Sequence, residues 1–118
     1  MRLRSDIWIA AYLRRVMAAG GFVAVRKKGV PEGGAIFIRI DHLDGAGVLY
    51  GPAPQSVLDE DGAERRFRRM HTTPELDNAG IEARLKKETG FDPDLWIIEV
   101  EDRQKRNFLD DGTIVEDR

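Results

Sequence analysis

The sequence predicts an α+β protein: a mostly antiparallel sheet of about five strands, packed by two helices that form a single layer on the sheet. Three observations carry this expectation. Ile36, Ile38 and Ile40 alternate with Phe37, Arg39 and Asp41, an Asp44-Gly45 dipeptide follows, and Val48–Tyr50 resume the apolar pattern. Period-2 alternation on both sides of Asp-Gly is the strongest short-range hairpin signal. Helical periodicity occurs in two places only, and Leu95–Val100 (LWIIEV) is apolar on both faces, as a central strand must be.

The elements follow in order. Ser5 suits an N-cap with Asp6 in the first turn, and Ile9, Leu13 and Val16 at i, i+4 and i+7 define an apolar stripe. Gly20-Gly21 stop that helix, and Phe22–Val25 begin a strand ending in Arg26-Lys27-Lys28. Gly51-Pro52-Ala53-Pro54 breaks the hairpin's second strand, since proline cannot donate to a ladder. Val57-Leu58 and Arg65–His71 flank Asp61-Gly62 and suggest a second, more polar hairpin. Thr73-Pro74-Glu75 reads as a helix start, Ile81 and Leu85 as that helix's core contacts, and Gly90 as its end. The resulting order is α-β-β-β-β-α-β, followed from about residue 102 by a charged tail in which Phe108-Leu109 and Ile114-Val115 can dock.

At 118 residues the chain is expected to form one domain, residues 1–118, large enough to bury roughly two-thirds of its unfolded surface. With 42% hydrophobic and 34% charged residues the composition is globular, and no apolar run reaches the roughly 18 residues of a membrane span. Cysteine is absent, which excludes disulfides, thiolate catalysis and Cys-ligated zinc, and fits a cytoplasmic location. Asp6 and Arg14-Arg15 bracket too short an apolar run for a signal peptide, so the whole sequence reads as mature. Residues 1–30 carry seven Lys/Arg against Asp6 alone, whereas residues 31–118 carry twelve against twenty acids. Oppositely charged segments that fold back on one another account for this better than a basic contact surface.

Candidate chemistry is sparse, and neither a catalytic residue nor a metal or cofactor site is expected. His42 and His71 lack partners at metal-ligand spacing, and His42 reads as a surface-loop residue. Glu99, Glu101 and Asp102 could hold Mg²⁺ with a substrate phosphate, but equally pair with Arg103, Lys105 and Arg106. Gly29, Gly33 and Gly34 match no phosphate loop. The best candidate is Arg65-Arg66-Phe67-Arg68-Arg69. On a strand Phe67 dips into the core and Arg66 and Arg68 share the outward face, where planar guanidinium groups suit phosphate or carboxylate. The competing reading is an edge strand protected by charge. His71 at the strand's end and Tyr50, beside the stiff Gly51–Pro54 segment, complete the candidate ligand- or partner-binding set.

Strings spread along the chain, MRLRSDIWIAAYLRR, GAIFIRI, LYGPAP, ERRF and FDPDLWIIEVEDR, resemble in order a family of short alphaproteobacterial proteins, domain of unknown function 1491. The resemblance covers nearly the whole chain and is weakest after Phe108. It implies a bacterial, cytoplasmic, single-domain protein with no assigned activity, and it carries over no catalytic residues.

The sequence therefore favours a small non-catalytic interaction module that contacts a protein partner or a second copy of itself. Nucleic-acid or phosphate-ligand binding through the arginine-rich strand stands second, with the net charge of −2 against it. A small Mg²⁺-dependent hydrolase or transferase using the last strand's acids stands third. An enzyme is not favoured, and no membrane partner is expected.

Overall fold

The computed structural model describes residues 3–54 and 65–115. Helix α1 spans Ser5–Ala18 and is followed by strands β1 (Phe22–Lys27), β2 (Ile36–Asp41), β3 (Ala46–Pro52), β4 (Phe67–Arg69) and β5 (Leu76–Asp77). Helix α2 (Asn78–Phe91), strand β6 (Trp96–Glu101) and a 3₁₀ turn at Asp111–Thr113 complete the chain. The expected hairpin joins β2 to β3, with Ile38 opposite Tyr50 and Ile40 opposite Val48. Its turn places Gly45 at φ 92°, a left-handed conformation that glycine adopts without steric cost. The second expected hairpin falls largely on residues 55–64, outside the described residues.

The sheet runs β1-β6-β2-β3-β4, with β5 also paired to β3. Among the named strands every pairing is antiparallel except β2 with β6, which run parallel with Ile36 opposite Trp96 and Ile40 opposite Val100. The α+β class and the mostly antiparallel sheet are as the sequence predicts, with six strands among the described residues where about five were expected. The single helical layer is not. Ile36, Ile38, Ile40, Trp96, Ile98 and Val100 pack with Ile9, Tyr12 and Val16 of α1. Phe37, Leu95 and Ile97 instead pack with Ile81 and Leu85 of α2. Successive strand residues face opposite ways, so the two sets lie on opposite faces and each face carries one helix. The double-sided apolar pattern of LWIIEV has this cause.

β6 enters between two strands that are neighbours in sequence, and the β1–β2 connection must let it through. Asp94 carbonyl accepts from the Val30 amide at 2.9 Å, and Trp96 Nε1 donates to the Val30 carbonyl at 2.8 Å. A Cβ at Gly29 would stand 2.3 Å from Asp94 O, and one at Gly34 would stand 2.6 Å from it. These glycines permit backbone to approach backbone.

Both helix starts differ from expectation. Arg4 holds the cap position of α1 without a side-chain cap bond, while the buried Ser5 Oγ donates to the Gly34 carbonyl at 2.7 Å. At α2 the cap is Asp77, whose carboxylate accepts from the Gly80 amide at 2.8 Å, so Thr73-Pro74-Glu75 precede β5 as loop. Asp77 offers two strong acceptor oxygens, and a cap bond outweighs a favourable N1 proline. Among the described residues no helix is long and apolar enough to cross a membrane.

The early basic segment does fold onto acids from later in the chain. Arg4 lies 3.8 Å from Glu32, Arg15 3.5 Å from Asp110, and Arg26 donates to Glu82 at 2.7 Å. The tail is docked as well. Phe108 and Leu109 pack on the α1-side core, and Ile114 bridges Phe67.

Candidate functional site

β4 is three residues long and runs from a buried to an exposed side chain. Phe67 is fully buried in the α1-side core, and Arg65 before it is buried beside Ser5, donating to Ser5 Oγ at 3.3 Å and to the Leu3 carbonyl at 3.1 Å. Arg69 pairs with Tyr50 across β3–β4, and Arg68 pairs with Gly51. Paired residues share a sheet face, so Tyr50 and Arg69 stand side by side. Beyond Arg69 the chain leaves the sheet, and a cleft of about 620 Å³ opens there. Its wall includes Tyr50, Arg68, Arg69, Met70, His71 and Arg84, with Ile114 and Val115 on the tail side.

Of the four residues singled out from sequence, Tyr50, Arg68 and His71 meet in this cleft. Arg66 does not line it and is exposed, whereas Arg68 is half-buried. Two further cations do line it. Arg69 shares the Phe67 side of its strand by alternation, yet its guanidinium reaches past the strand end, donating to the carbonyls of His71 (3.0 Å) and Thr72 (3.3 Å). Arg84 comes from α2, donating to the Met70 carbonyl at 2.9 Å and to Glu88 at 3.0 Å. Its only sequence signal is the i,i+4 spacing to Glu88, which is ordinary on a helix surface.

His71 is held rigidly. The Leu49 amide donates to its Nε2 at 3.1 Å, which requires that nitrogen to be unprotonated, and Nδ1–H therefore donates to the Thr73 carbonyl at 2.8 Å. Burial lowers its pKa, and the Arg69 and Arg84 charges lower it further, although the Thr73 bond opposes them. A neutral imidazole with both nitrogens engaged has no lone pair left to act as a base. It orients the cleft. Tyr50 Oη accepts from Asn107 Nδ2 at 3.2 Å, which ties the wall to the docked tail.

The last strand's acids stand elsewhere. Glu99 lies 3.5 Å from the buried Arg39 and 3.7 Å from Arg26. Asp102 is buried and accepts three hydrogen bonds from Arg106, one from its amide and two from its guanidinium. These bonds hold the Asp102 carboxyl below the usual carboxylate range. Neither lines the cleft, so the arginine strand and the acids do not converge.

His42 corrects an expectation. It is buried at the β2–β3 turn instead of standing on an exposed loop, with Glu75 Oε1 of a distant segment 3.6 Å from its Nδ1.

These features define a class: a small α+β protein with one helix on each sheet face and a basic cleft at the end of a short strand. The chain belongs to the family described as "Protein of unknown function (DUF1491)", whose sequence model matches residues 3–110. It is 44% identical to a protein from A. tumefaciens whose solution structure has a TM-score of 0.77, covering 100% of this chain and 98% of that one. A crystal structure of a DUF1491 family protein from Caulobacter crescentus CB15 is 29% identical with a TM-score of 0.77, covering 98% of this chain and 99% of that one. An NMR structure of a DUF1491 family protein from the same organism, also 29% identical, has a TM-score of 0.78 and covers 98% of each chain. No curated protein matches the chain. The resemblance visible in the sequence strings is therefore correct, and the family has no assigned function.

Proposed function

We propose that the protein is a non-catalytic binding module whose basic cleft receives the anionic group, carboxylate or phosphate, of its ligand. The observation that carries this reading is the meeting of Arg69 and Arg84 beside His71 in a wall that, among the described residues, holds no carboxylate. The same positive field that disfavours a proton on His71 favours an anion there. Guanidinium groups already anchored to backbone carbonyls are pre-oriented, so less side-chain entropy is lost on binding. Titration of ¹⁵N-labelled protein with inorganic phosphate and with citrate tests the reading. The amides of residues 69–72 and 84 should shift, and Arg69→Ala should weaken the response. Shifts scattered over the surface, or none, sink it.

A second reading is association of two copies through β1, supported by its position at the end of the sheet with Phe22 62% and Val25 41% exposed. Light scattering after gel filtration decides it: a concentration-dependent dimer that Val25→Lys abolishes is expected, and a monomer throughout rejects it. The proposal includes a cytoplasmic location, in keeping with the cysteine-free sequence.

A further inference from the structure

At the end of the sheet away from the β1–β2 connection, two segments, the β2–β3 turn and the loop before β5, bring His42, Asp44 and Glu75 together. Their donor atoms, one ring nitrogen of His42 and one oxygen of each carboxylate, all lie within 4.8 Å of one another. We infer that these three residues form a binding site for a divalent transition metal of the zinc class, and that the Lys105 ammonium is the cation that holds the place until metal arrives.

The imidazole makes this more than an acidic cluster. The His42 side chain is 3% exposed, and its Nδ1 is buried with no hydrogen-bond partner, facing Glu75 Oε1 at 3.6 Å. Leaving a buried polar atom unsatisfied is costly, and such an atom calls for an explanation. A metal ion supplies one. Neutral imidazole with two carboxylates is a donor set that zinc accepts, a water completing the tetrahedron, whereas Mg²⁺ and Ca²⁺ prefer oxygen alone. Tetrahedral zinc at its usual bond lengths sets its ligand atoms about 3.3 Å apart. The His42–Glu75 separation is already close to that, and the exposed Asp44, whose Oδ1 accepts from the Ala46 amide at 3.1 Å, has an oxygen within 4.8 Å of both.

Lys105 supports the same conclusion from the opposite direction. Its Nζ donates to Glu75 Oε1 at 2.8 Å, the oxygen that faces His42, and the charge of Asp44 also acts on it. A tethered monovalent cation thus stands against the carboxylates that would hold the metal. Its side chain is 51% exposed, so it can leave for solvent at small cost.

The test is titration of the full chain with ZnCl₂, followed by calorimetry and by the ring ¹⁵N resonances of the two histidines. One ion per chain should bind, shifting the His42 ring and leaving His71 unmoved as the internal control. Asp44→Asn and Glu75→Gln, both substitutions of residues outside the core, should weaken binding by at least about ten-fold, the loss that even an outer-shell partner causes. Lys105→Gln should tighten it by about two- to five-fold, the worth of the exposed ion pair no longer to be broken. No His42 shift at millimolar zinc, a His71 shift in its place, or unchanged affinity in the two carboxamide variants would overturn the site. Weaker binding by Lys105→Gln would overturn the stand-in role of the lysine.

Discussion

The backbone amide of Leu49 donates to Nε2 of His71 at 3.1 Å, so a β3 residue fixes the tautomer of a side chain beyond β4. The folded pKa of His71 is below its unfolded value near 6.5, so the folded protein binds this proton less readily than the unfolded chain. Its contribution to stability is complete above about pH 6.5 and is lost as pH falls through the folded pKa. Glu82 and Asp102 are also lowered, chiefly by hydrogen bonds from Arg26 and Arg106, and theirs is lost further down, through the carboxylate range. Urea denaturation between pH 8 and 3 should show two separate declines. His71→Gln, which keeps an acceptor for Leu49, should remove the upper one. His71→Ala should cost about 1–3 kcal/mol at neutral pH by leaving that amide unsatisfied.

Gly29→Ala would drive a methyl group to 2.3 Å from Asp94 O. Backbone cannot yield as a flexible side chain does, so a loss of about 1–3 kcal/mol or more is expected. Gly33→Ala, with nothing within 4 Å, should lie within about 0.5 kcal/mol of the parent. Thermal melts of the two variants side by side check the pair. Equal melting temperatures would disprove the close-approach account.

Arg39 is buried under α2 and donates to Glu82 at 2.6 Å and to Asn78 at 2.9 Å. Glu82→Ala removes its nearest carboxylate and should cost about 1–3 kcal/mol, less than a fully buried pair because Glu82 is partly exposed. Arg26→Ala leaves Arg39 paired and should cost under about 1 kcal/mol. Chemical denaturation should preserve that order, and the reverse order would contradict it.

Tyr12 Oη donates to the Asn107 carbonyl at 2.6 Å, securing the tail against α1. Tyr12→Phe should lower stability by about 0.5–1.5 kcal/mol and speed hydrogen exchange at Phe108 and Leu109. Unchanged exchange there would mean that the apolar contacts alone hold the tail.

Much of this architecture is legible in the residues. The alternation of Ile36, Ile38 and Ile40 sets the β2–β3 register, and Trp96–Val100 declare a central strand by being apolar on both faces. The placement of the helices is not legible. Either amphipathic stripe can cover either face of a two-faced sheet, and the choice depends on the parallel insertion of β6, which no local pattern encodes. The cleft was half visible: Tyr50, Arg68 and His71 stood out by type and position, whereas Arg84 arrives from α2 through tertiary packing. His42 looks solvent-facing because its turn reads as exposed, and its burial and its neighbour Glu75 come from tertiary packing that no local pattern encodes.

The strand that separates β1 from β2 is made last. While residues 96–101 remain inside the ribosome, the two earlier strands have no shared neighbour, and the nascent chain cannot assemble its sheet in sequence order. The β2–β3 hairpin can form early, but the sheet closes only once residues 96–101 have emerged. Until then the isoleucine ridge of β2 is one that a chaperone could hold.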